Sequence, residues 1–298
     1  TQKEARTGTA PKINAAVVQA NIDQSVKWKP AYQLQTLQTY FRLSRSVADS
    51  MPALVVWPET ALPFFYQDAP LFSPKMRGLS DELGAALLFG SPAHKRMDRK
   101  IRYYNRAYMI TPDVMLTQYY DKRHLVPFGE YVPLKQYLPF ISHLVQAAGN
   151  FAQGDRQSPL KDKDLSLGVL ICFEAIFPEL ARDLSREGAN LLVNITNDAW
   201  FGATSAPYQH LSMAVFRSVE TGLPMVRAAN TGFSAFIGSD GAILSKTALF
   251  VEAVLSRSIS LLPRAPTIYT RTGDLFAGGL VLISLLKLLY AFRKRVKK

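Results

Sequence analysis

The first 260 residues alternate short apolar runs with longer stretches in which apolar side chains recur every three or four positions. Short continuous runs are typical of buried strands, and the longer spacing is typical of amphipathic helices. The pattern predicts helices over residues 32–48, over a segment that closes at 81–83, and over 178–187 and 208–221. It predicts strands over residues 13–19, 53–57, 85–89, 103–110, 114–120, 165–172, 190–196, 224–228, 233–237 and 242–245.

Strands that alternate with helices and include a hairpin at 103–120 predict a layered α/β domain with mixed sheets. The segment 127–157 breaks this rhythm, because proline and glycine punctuate it and it is too long for a simple connector. Long irregular loops in compact domains are usually lids or binding loops. We therefore expect a binding loop here, with an apolar portion at 132–145.

The chain ends in an apolar stretch at residues 275–292 that holds one charged residue, Lys287. Eighteen helical residues extend about 27 Å, which is close to the thickness of a membrane's hydrocarbon core. Lys287 lies near enough to the end to reach the headgroups. A buried or surface-lying helix is the alternative, but it would carry polar residues at helical spacing. The pattern thus predicts a transmembrane helix.

The formal net charge of +12 is partly a terminal feature, because five of the last six residues are lysine or arginine. Short basic flanks stay on the cytoplasmic side of a membrane, so the folded domain is expected on the opposite face. A second basic cluster falls at residues 95–102, in another predicted hairpin between strands, and is either a solvated loop or a contact with anionic lipid headgroups. No nucleic-acid-binding motif accompanies the charge, so no nucleic-acid partner is predicted. The hairpin cluster consists of Lys95, Arg96, Arg99, Lys100 and Arg102.

Three reactive side chains each follow a predicted strand: Glu59, Lys122 and Cys172. Strand ends at one edge of an α/β sheet are where such folds gather their sites, so these side chains can meet in space. Taken singly, each has an ordinary alternative. Glu59 could begin a turn, Lys122 could be solvated, and Cys172, the only cysteine, could be a core residue.

Together the three side chains form a coherent chemical set. A thiol is mostly protonated at neutral pH, and a nearby carboxylate can remove its proton as the sulfur attacks. A lysine can stabilise the oxyanion that develops on an attacked carbonyl. The set predicts acyl transfer through a thioester. No metal-ligand spacing of histidines and no phosphate-binding glycine loop is present, so no metal or other cofactor is predicted.

Three short motifs surround these residues: Trp57-Pro58-Glu59, Lys122 with the string 124–130, and Cys172-Phe173-Glu174. Longer strings stand at 21–25 with Lys27-Trp28, at 124–133, and at 197–202 with Gln209-His210. The short motifs resemble those of the nitrilase, or carbon-nitrogen hydrolase, superfamily, and the longer strings resemble the apolipoprotein N-acyltransferase family within it.

This resemblance implies a four-layer αββα sandwich in which Cys172 is the nucleophile, Glu59 the general base and Lys122 the oxyanion-stabilising residue. It implies supporting roles for the Glu130 and Glu174 carboxylates and for the backbone N–H of Phe173, although tyrosine would be as readily expected at that position. It also implies a set of substrate-pocket residues, for which core packing is the alternative at Trp28 and His210. The pocket set is Trp28, Phe128, Pro133, Asn197, Trp200, Phe201 and His210.

The implied reaction has two steps. Cys172 takes an acyl chain from a phospholipid and passes it to the N-terminal diacylglyceryl-cysteine of a lipoprotein. The implied setting is a monomer in the bacterial inner membrane, with the catalytic domain on the periplasmic side. Two other functions remain open, a nitrilase-type amidase acting on small amides and a non-catalytic membrane-anchored binding module.

The expected division of the chain follows from these interpretations. The opening residues are polar, begin without methionine and carry no signal peptide, so we expect the chain to be the C-terminal part of a larger membrane protein. The expected parts are a linker from an upstream membrane region at 1–11, a catalytic domain at 12–262, a linker at 263–274, a transmembrane helix at 275–292 and a basic cytoplasmic tail at 293–298.

Overall fold

The structure is a computed structural model that describes residues 11–97, 100–112, 114–131, 151–155, 158–261 and 266–296. The predicted apolar loop 132–145, including Pro133, lies outside the described residues. The strands are β1 (Lys12–Gln19), β2 (Leu54–Val56), β3 (Ala86–Met97), β4 (Lys100–Thr111), β5 (Val114–Asp121), β6 (Leu160–Asp162), β7 (Leu165–Ile171), β8 (Leu191–Thr196), β9 (Met225–Ala229), β10 (Ala235–Ile237), β11 (Ile243–Lys246) and β12 (Ala253–Ser260).

The helices pack on the outer faces of the sheets or follow the last strand. They are α1 (Gln24–Lys27), α2 (Pro30–Arg45), α3 (Ser73–Leu83), α4 (Pro178–Arg186), α5 (Ala206–Thr221), α6 (Ile268–Thr272) and α7 (Leu275–Val296). Within the described residues, short 3₁₀ helices occur at Ala48–Ser50, Tyr66–Asp68, Cys172–Ile176 and Asp198–Phe201.

The strands form two six-stranded sheets, ordered β12-β1-β2-β3-β4-β5 and β11-β10-β9-β8-β7-β6. Each has a parallel centre, β1-β2-β3 in one sheet and β7-β8-β9 in the other, flanked by antiparallel pairs. The parallel centres account for the near-continuous apolar runs in the sequence, because parallel strands are buried on both faces.

Alternation along the strands divides the core into layers. In β1, Ala15 and Val17 face the space between the two sheets, whereas Ala16 and Val18 face α2 and α3. The second sheet shares the central layer and packs its outer face on α4 and α5, where Leu180 and Leu211 are buried. Because successive side chains of a strand point to opposite faces, each strand contributes side chains both to the layer between the sheets and to the layer beneath the helices. The predicted four-layer αββα sandwich is confirmed.

Most predicted elements are present, but two strands were not predicted. β6 has only three residues, and β12 pairs with β1 over its full length although its sequence carries Arg257 among serines. The sequence of β12 has neither a continuous apolar run nor a regular alternation of apolar and polar residues, so it does not predict a strand. Its backbone pairing with β1 makes it one. The predicted strand 165–172 ends one residue early, because Cys172 begins a 3₁₀ helix.

One helix among the described residues is long and apolar enough to cross a membrane by length and composition. Its stretch Leu275–Lys294 has a mean hydropathy of 2.1 and is wholly exposed in the folded chain. The preceding helix α6 lies inside the segment predicted as a linker and is attached to α4. Arg186 donates hydrogen bonds of 2.7 Å to the carbonyl oxygens of Thr270 and Arg271. The start of α7 is therefore fixed to the second sheet's helical layer.

Gly90 in β3 is required by a close approach of backbone. A Cβ at Gly90 would lie 2.4 Å from the Thr60 nitrogen and 2.7 Å from the Glu59 Cα. Gly90→Ala should therefore lower the free energy of unfolding by about 3 kcal/mol. The control is Gly78→Ala on the exposed surface of α3, where no atom lies within 4 Å of the added Cβ. Alanine there should raise the free energy of unfolding by about 0.5–1 kcal/mol. Urea unfolding in detergent measures both, and equal effects would contradict the close approach.

Candidate active site

The three predicted site residues lie at one edge of the sandwich because their strands run in the same direction. β5 is antiparallel to β4, which is antiparallel to β3, so β5 ends at the same edge as the parallel strands β2 and β3. Glu59 follows β2, Lys122 follows β5 and Cys172 follows β7 of the facing sheet. The strand pairing thus places a carboxylate, an ammonium and a thiol at a common edge.

Glu59 is a buried carboxylate held by amide donors from both sheets. Its Oε1 accepts a hydrogen bond of 2.7 Å from Asn105 Nδ2, and its Oε2 accepts one of 2.8 Å from the backbone nitrogen of Asn197. The Lys122 Nζ lies 3.7 Å from Oε1. Each carboxylate oxygen therefore has a donor, and the side chain is fixed in one orientation.

Lys122 is buried between two carboxylates. Its Nζ donates a hydrogen bond of 2.9 Å to Glu130 in addition to its contact with Glu59. Burial acts to lower the pKa of Lys122, but the neighbouring acidic groups, Glu59 foremost, outweigh burial and leave the pKa above its ordinary value. The residue is consequently a permanent cation at physiological pH.

Glu130 reaches Lys122 because the preceding loop folds back on itself. Phe128 has a left-handed backbone with φ of 61°, and its nitrogen donates to the carbonyl oxygen of Tyr131 at 2.7 Å. The Glu130 Oε2 accepts from the Val126 nitrogen, and its Oε1 accepts from Asn105 Nδ2 at 2.9 Å. Asn105 therefore bridges the two carboxylates that flank Lys122.

Cys172 stands at the junction between β7 and a 3₁₀ helix and is partly buried. Its φ of 53° is in the left-handed region, which is sparsely occupied by residues with a side chain. Strained backbone of this kind clusters at functional sites. Burial and then the Glu59 carboxylate raise the pKa of the Cys172 thiol to about 12, against the opposing effect of the Lys122 ammonium. The thiol is thus protonated at neutral pH and needs a base to become a nucleophile.

Glu174 is fully buried behind Cys172 and binds backbone from both sheets. Its Oε1 accepts from the nitrogens of Arg123 at 2.6 Å and His124 at 3.0 Å, and its Oε2 accepts from the Ile171 nitrogen at 2.7 Å. Tyr120 donates its hydroxyl hydrogen to the same carboxylate. The carboxylate therefore ties the segment after Lys122 to the residue before Cys172.

A second polar network supports the Cys172 carbonyl oxygen. His210 Nε2 donates to it at 3.1 Å, and Asn194 Nδ2 lies 3.4 Å from it. His210 Nδ1 lies 3.0 Å from Asp198 Oδ1, and Asp198 Oδ2 accepts a hydrogen bond of 2.9 Å from Arg227. Burial acts to raise the pKa of Asp198, but the Arg227 guanidinium and His210 hold it well below its usual range. His210 is thus buried beneath the strained peptide of Cys172.

The remaining predicted pocket residues lie at different depths. Trp28 is 47% exposed, Phe128 is 52% exposed and Trp200 is 70% exposed. Phe201 is half-buried and meets His210 edge to face at 5.8 Å, while Phe173 meets Phe177 in the same manner at 5.4 Å. Exposed aromatic side chains near a site are suited to contact with a large apolar ligand.

Sequence reasoning assigned no role to five polar residues that hold this site. Lys27 and Asp198 appeared only within the motif strings, and Asn105, Asn194 and Arg227 were not singled out. Asn105, Asn194 and Arg227 lie within strands β4, β8 and β9, where the surrounding apolar residues dominate the pattern. An amide or guanidinium group inside a predicted buried strand could have indicated these residues. Such groups are buried only when they are hydrogen-bonded, so each one implies a polar partner in the interior.

The arrangement can perform acyl transfer. A protonated thiol on a strained turn, a buried carboxylate and a permanent cation meet at one edge, and two polar networks fix them. Among the described residues no cluster of histidine, cysteine or acidic side chains could hold a metal ion.

Comparison with known proteins is consistent with this geometry. Residues 14–267 match the model of the carbon-nitrogen hydrolase family. The chain is 46% identical over 289 residues to a protein of Geobacter metallireducens named apolipoprotein N-acyltransferase, covering 97% of this chain and 55% of that protein. A protein of the same name from Rhodopseudomonas palustris is 38% identical over 302 residues, with the same coverage of both chains. The chain thus spans about half the length of these relatives.

Solved structures share the fold at low sequence identity. Nit3 of Saccharomyces cerevisiae, described as a member of branch 10 of the nitrilase superfamily, superimposes with a TM-score of 0.64 at 18% identity. The match covers 91% of this chain and 97% of Nit3. Through its family match and its fold, the chain belongs to the carbon-nitrogen hydrolase family.

Proposed function

We propose that this chain is the catalytic part of a phospholipid-dependent N-acyltransferase that modifies lipoproteins through a thioester on Cys172. The observation that carries the proposal is the meeting of a protonated Cys172 thiol with the Glu59 carboxylate and the Lys122 ammonium. The names of the Geobacter and Rhodopseudomonas relatives favour this acyl transfer over other reactions of the family.

In the first half-reaction Glu59 takes the proton of the Cys172 thiol as the sulfur attacks the carbonyl carbon of a phospholipid ester. The carbonyl oxygen becomes negatively charged and is stabilised by the Lys122 ammonium and the backbone N–H of Phe173. Collapse of this intermediate breaks the carbon–oxygen bond, and the departing alkoxide takes the proton from Glu59. A lysophospholipid leaves, and the acyl chain remains on Cys172.

In the second half-reaction the α-amine of a diacylglyceryl-cysteine attacks the thioester carbonyl. Glu59 accepts a proton from the amine, and the same two donors stabilise the new oxyanion. The carbon–sulfur bond breaks, an amide forms and the Cys172 sulfur regains a proton. Glu130 and Asn105 hold the side chains of Lys122 and Glu59 in place by hydrogen bonds. Glu174 holds the turn that carries the nucleophile.

A lipid substrate is supported by the exposed apolar surface of the chain. The fully exposed apolar face of α7 and the exposed rings of Trp28, Phe128 and Trp200 suit an enzyme that works against a bilayer. We propose that α7 crosses the bacterial inner membrane and that the basic tail stays in the cytoplasm, because basic flanks are retained there. The catalytic domain, 12–262, then faces the periplasm.

The first prediction concerns the nucleophile. Incubation of the chain with phospholipid should add one fatty-acyl mass to Cys172, and hydroxylamine should remove it because the linkage is a thioester. Cys172→Ser should remain folded, acquire no such adduct and lose transfer to a diacylated lipopeptide. Intact-mass spectrometry makes the measurement, and the single cysteine makes it unambiguous. Adducts from small amides but none from phospholipid would favour an amidase, and no adduct at all would favour a binding module.

The second prediction separates the base from the cation. Glu59→Gln should slow acylation of Cys172 by about 10²–10⁴-fold, and Lys122→Met should slow it by about 10²–10³-fold. Glu59→Gln removes one effect that raises the thiol pKa, but burial, the larger cause, remains, and below that pKa the thiolate fraction rises tenfold per pH unit. The rate of Glu59→Gln should therefore rise between pH 7 and 9, whereas Lys122→Met should gain nothing. Initial rates measured by intact mass test this, and a pH response shared by both variants would contradict the assigned roles.

The third prediction concerns α7. Leu282→Arg with Leu285→Arg should move the chain from the membrane to the soluble fraction, because each charge near a helix centre opposes insertion by about 2.5–3.5 kcal/mol. The matched control is Met51→Arg with Leu71→Arg, which adds the same charge at positions that are 80% and 78% exposed on the globular domain. The control should remain with liposomes in a flotation assay. Retention of the α7 variant would contradict a membrane-spanning role.

A further inference from the structure

Lys27 is a buried cation next to the active site that the reaction described above does not use. It ends α1 and has no exposed surface. Among the described residues its hydrogen-bond acceptor is the Thr60 hydroxyl, which lies 2.9 Å from Nζ. Lysine is almost never fully buried unless it is paired, because removing an ammonium from water is costly. A side chain kept in this unfavourable state next to a reaction centre is a candidate for a functional role.

Lys27 acts on the turn that carries Glu59. Thr60 directly follows Glu59 and has φ of 46°, a left-handed conformation that is strained for a β-branched residue. Gly90 packs against the backbone of the same turn so closely that a Cβ there would collide with it. The hydrogen bond from Lys27 to Thr60 therefore fixes a backbone conformation that Thr60 would not adopt by itself.

A second path joins α1 to Glu59. Gln24 Oε1 accepts a hydrogen bond of 3.0 Å from Asn197 Nδ2, and the Asn197 backbone nitrogen donates to Glu59 Oε2. The segment before α1 is itself clamped, because the Asn230 side chain pairs with both the nitrogen and the carbonyl oxygen of Ile22. Helix α1 thus holds Glu59 at two points. Lys27 contacts the turn that follows the Glu59 backbone, and Gln24 contacts Asn197, which binds the Glu59 carboxylate.

The charge of Lys27 also acts on Glu59. Burial lowers the pKa of Lys27 to about 8, and the Glu59 carboxylate opposes this decrease. Glu59 therefore lies close to two lysine side chains. The Lys122 Nζ is 3.7 Å from its Oε1, and Lys27 is hydrogen-bonded to the next residue, Thr60.

We propose that Lys27 is a positioning residue for the catalytic base, in which the buried side chain holds the strained Glu59–Thr60 turn and thereby orients the Glu59 carboxylate. This inference rests on the proposed role of Glu59 as the base. It assigns a function to the motif Lys27-Trp28, whose lysine has no place in the pocket or the reaction.

A positioning role and a structural role of Lys27 predict different effects of its substitution on stability and on rate. Methionine has a similar length and no charge, so Lys27→Met removes the burden of burying a cation, and the melting temperature should stay the same or rise. Acylation of Cys172 should nevertheless fall by about tenfold or more, because the turn that carries Glu59 loses its hydrogen bond to Lys27 and a misplacement of about 1 Å can cost about 10²-fold in rate. A residue that only supported the fold would lose both stability and activity together.

The experiment measures the initial rate of acyl-Cys172 formation by intact mass, with p-nitrophenyl butyrate as the acyl donor and the full chain in detergent. The matched control is Lys29→Met, the same substitution two residues away on an exposed side chain, which should leave rate and stability unchanged. Thr60→Val removes the acceptor and should slow acylation, and Thr60→Ser restores the hydroxyl and should recover most of the rate. Lys27→Met combined with Thr60→Val should be no slower than the slower single variant, because both remove one interaction.

A pH profile supplies a readout that a structural role would not change. The charged groups around Lys27 are Glu59 on the turn, Lys122 and Glu130 beyond it, and the exposed Asp23 and Lys29 at the ends of α1. As pH rises through about 8, Lys27 loses its charge, and the wild-type rate should decline. This decline should be absent in Lys27→Met, which starts from the lower rate.

The outcomes separate this inference from the proposed function. If the wild-type chain is not acylated, or if Glu59→Gln acylates at the wild-type rate, the assignment of the base fails first. If Glu59→Gln is slow but Lys27→Met matches wild type in rate and pH profile, the role of Lys27 is overturned and that of Glu59 stands. A Lys27→Met chain that loses stability in proportion to activity also overturns the inference, since Lys27 is then a structural residue.

Discussion

The buried carboxylate of Glu174 is the interaction on which the site depends. It accepts hydrogen bonds from three backbone nitrogens, those of Arg123, His124 and Ile171, and from the Tyr120 hydroxyl. These donors come from the ends of β5 and β7, which belong to different sheets. Sheets packed through apolar side chains can shift relative to each other at small cost, whereas a charged acceptor buried among fixed donors cannot move without leaving them unpaired. One side chain thus sets the position of Cys172 relative to Lys122.

Charge balance is the second constraint. Glu59 and Glu130 surround the Lys122 ammonium, and Asp198 pairs with Arg227 below Cys172. Each of these groups would be strongly unfavourable alone in the interior, and each pair is held by further hydrogen bonds that satisfy the remaining donors. The result is a site whose charges are already oriented before a substrate arrives, which is the condition for effective stabilisation of a developing oxyanion.

Backbone strain follows the same geometry. Thr60, Phe128 and Cys172 have φ values of 46°, 61° and 53°, and each directs a residue of the site. Thr60 turns the chain after Glu59, Phe128 folds the loop that returns Glu130 to Lys122, and Cys172 raises its own side chain above β7. None of the three is glycine, so each conformation persists because surrounding contacts enforce it. The contacts from Lys27, Tyr131 and His210 serve this purpose.

The sequence determined the layers and the three reactive groups. Continuous apolar runs predict the buried parallel strands, and reactive residues after three of the predicted strands predict Glu59, Lys122 and Cys172 as a site. β12 was not predicted because its apolar and polar residues do not alternate regularly, and it is a strand because its backbone pairs with β1. The apolar span at the C-terminus was also readable from the sequence, because membrane thickness sets a length that composition alone can match.

The tertiary structure alone decided what surrounds those groups. Asn105, Asp198, Arg227 and Lys27 are separated by long stretches of sequence, and no local pattern relates them to Glu59 or Cys172. Their roles depend on hydrogen bonds of about 3 Å between different strands and sheets, and such contacts exist only after the two sheets have packed. Local periodicity reports which face of an element is buried, whereas the partner of each buried polar group is a property of the whole fold.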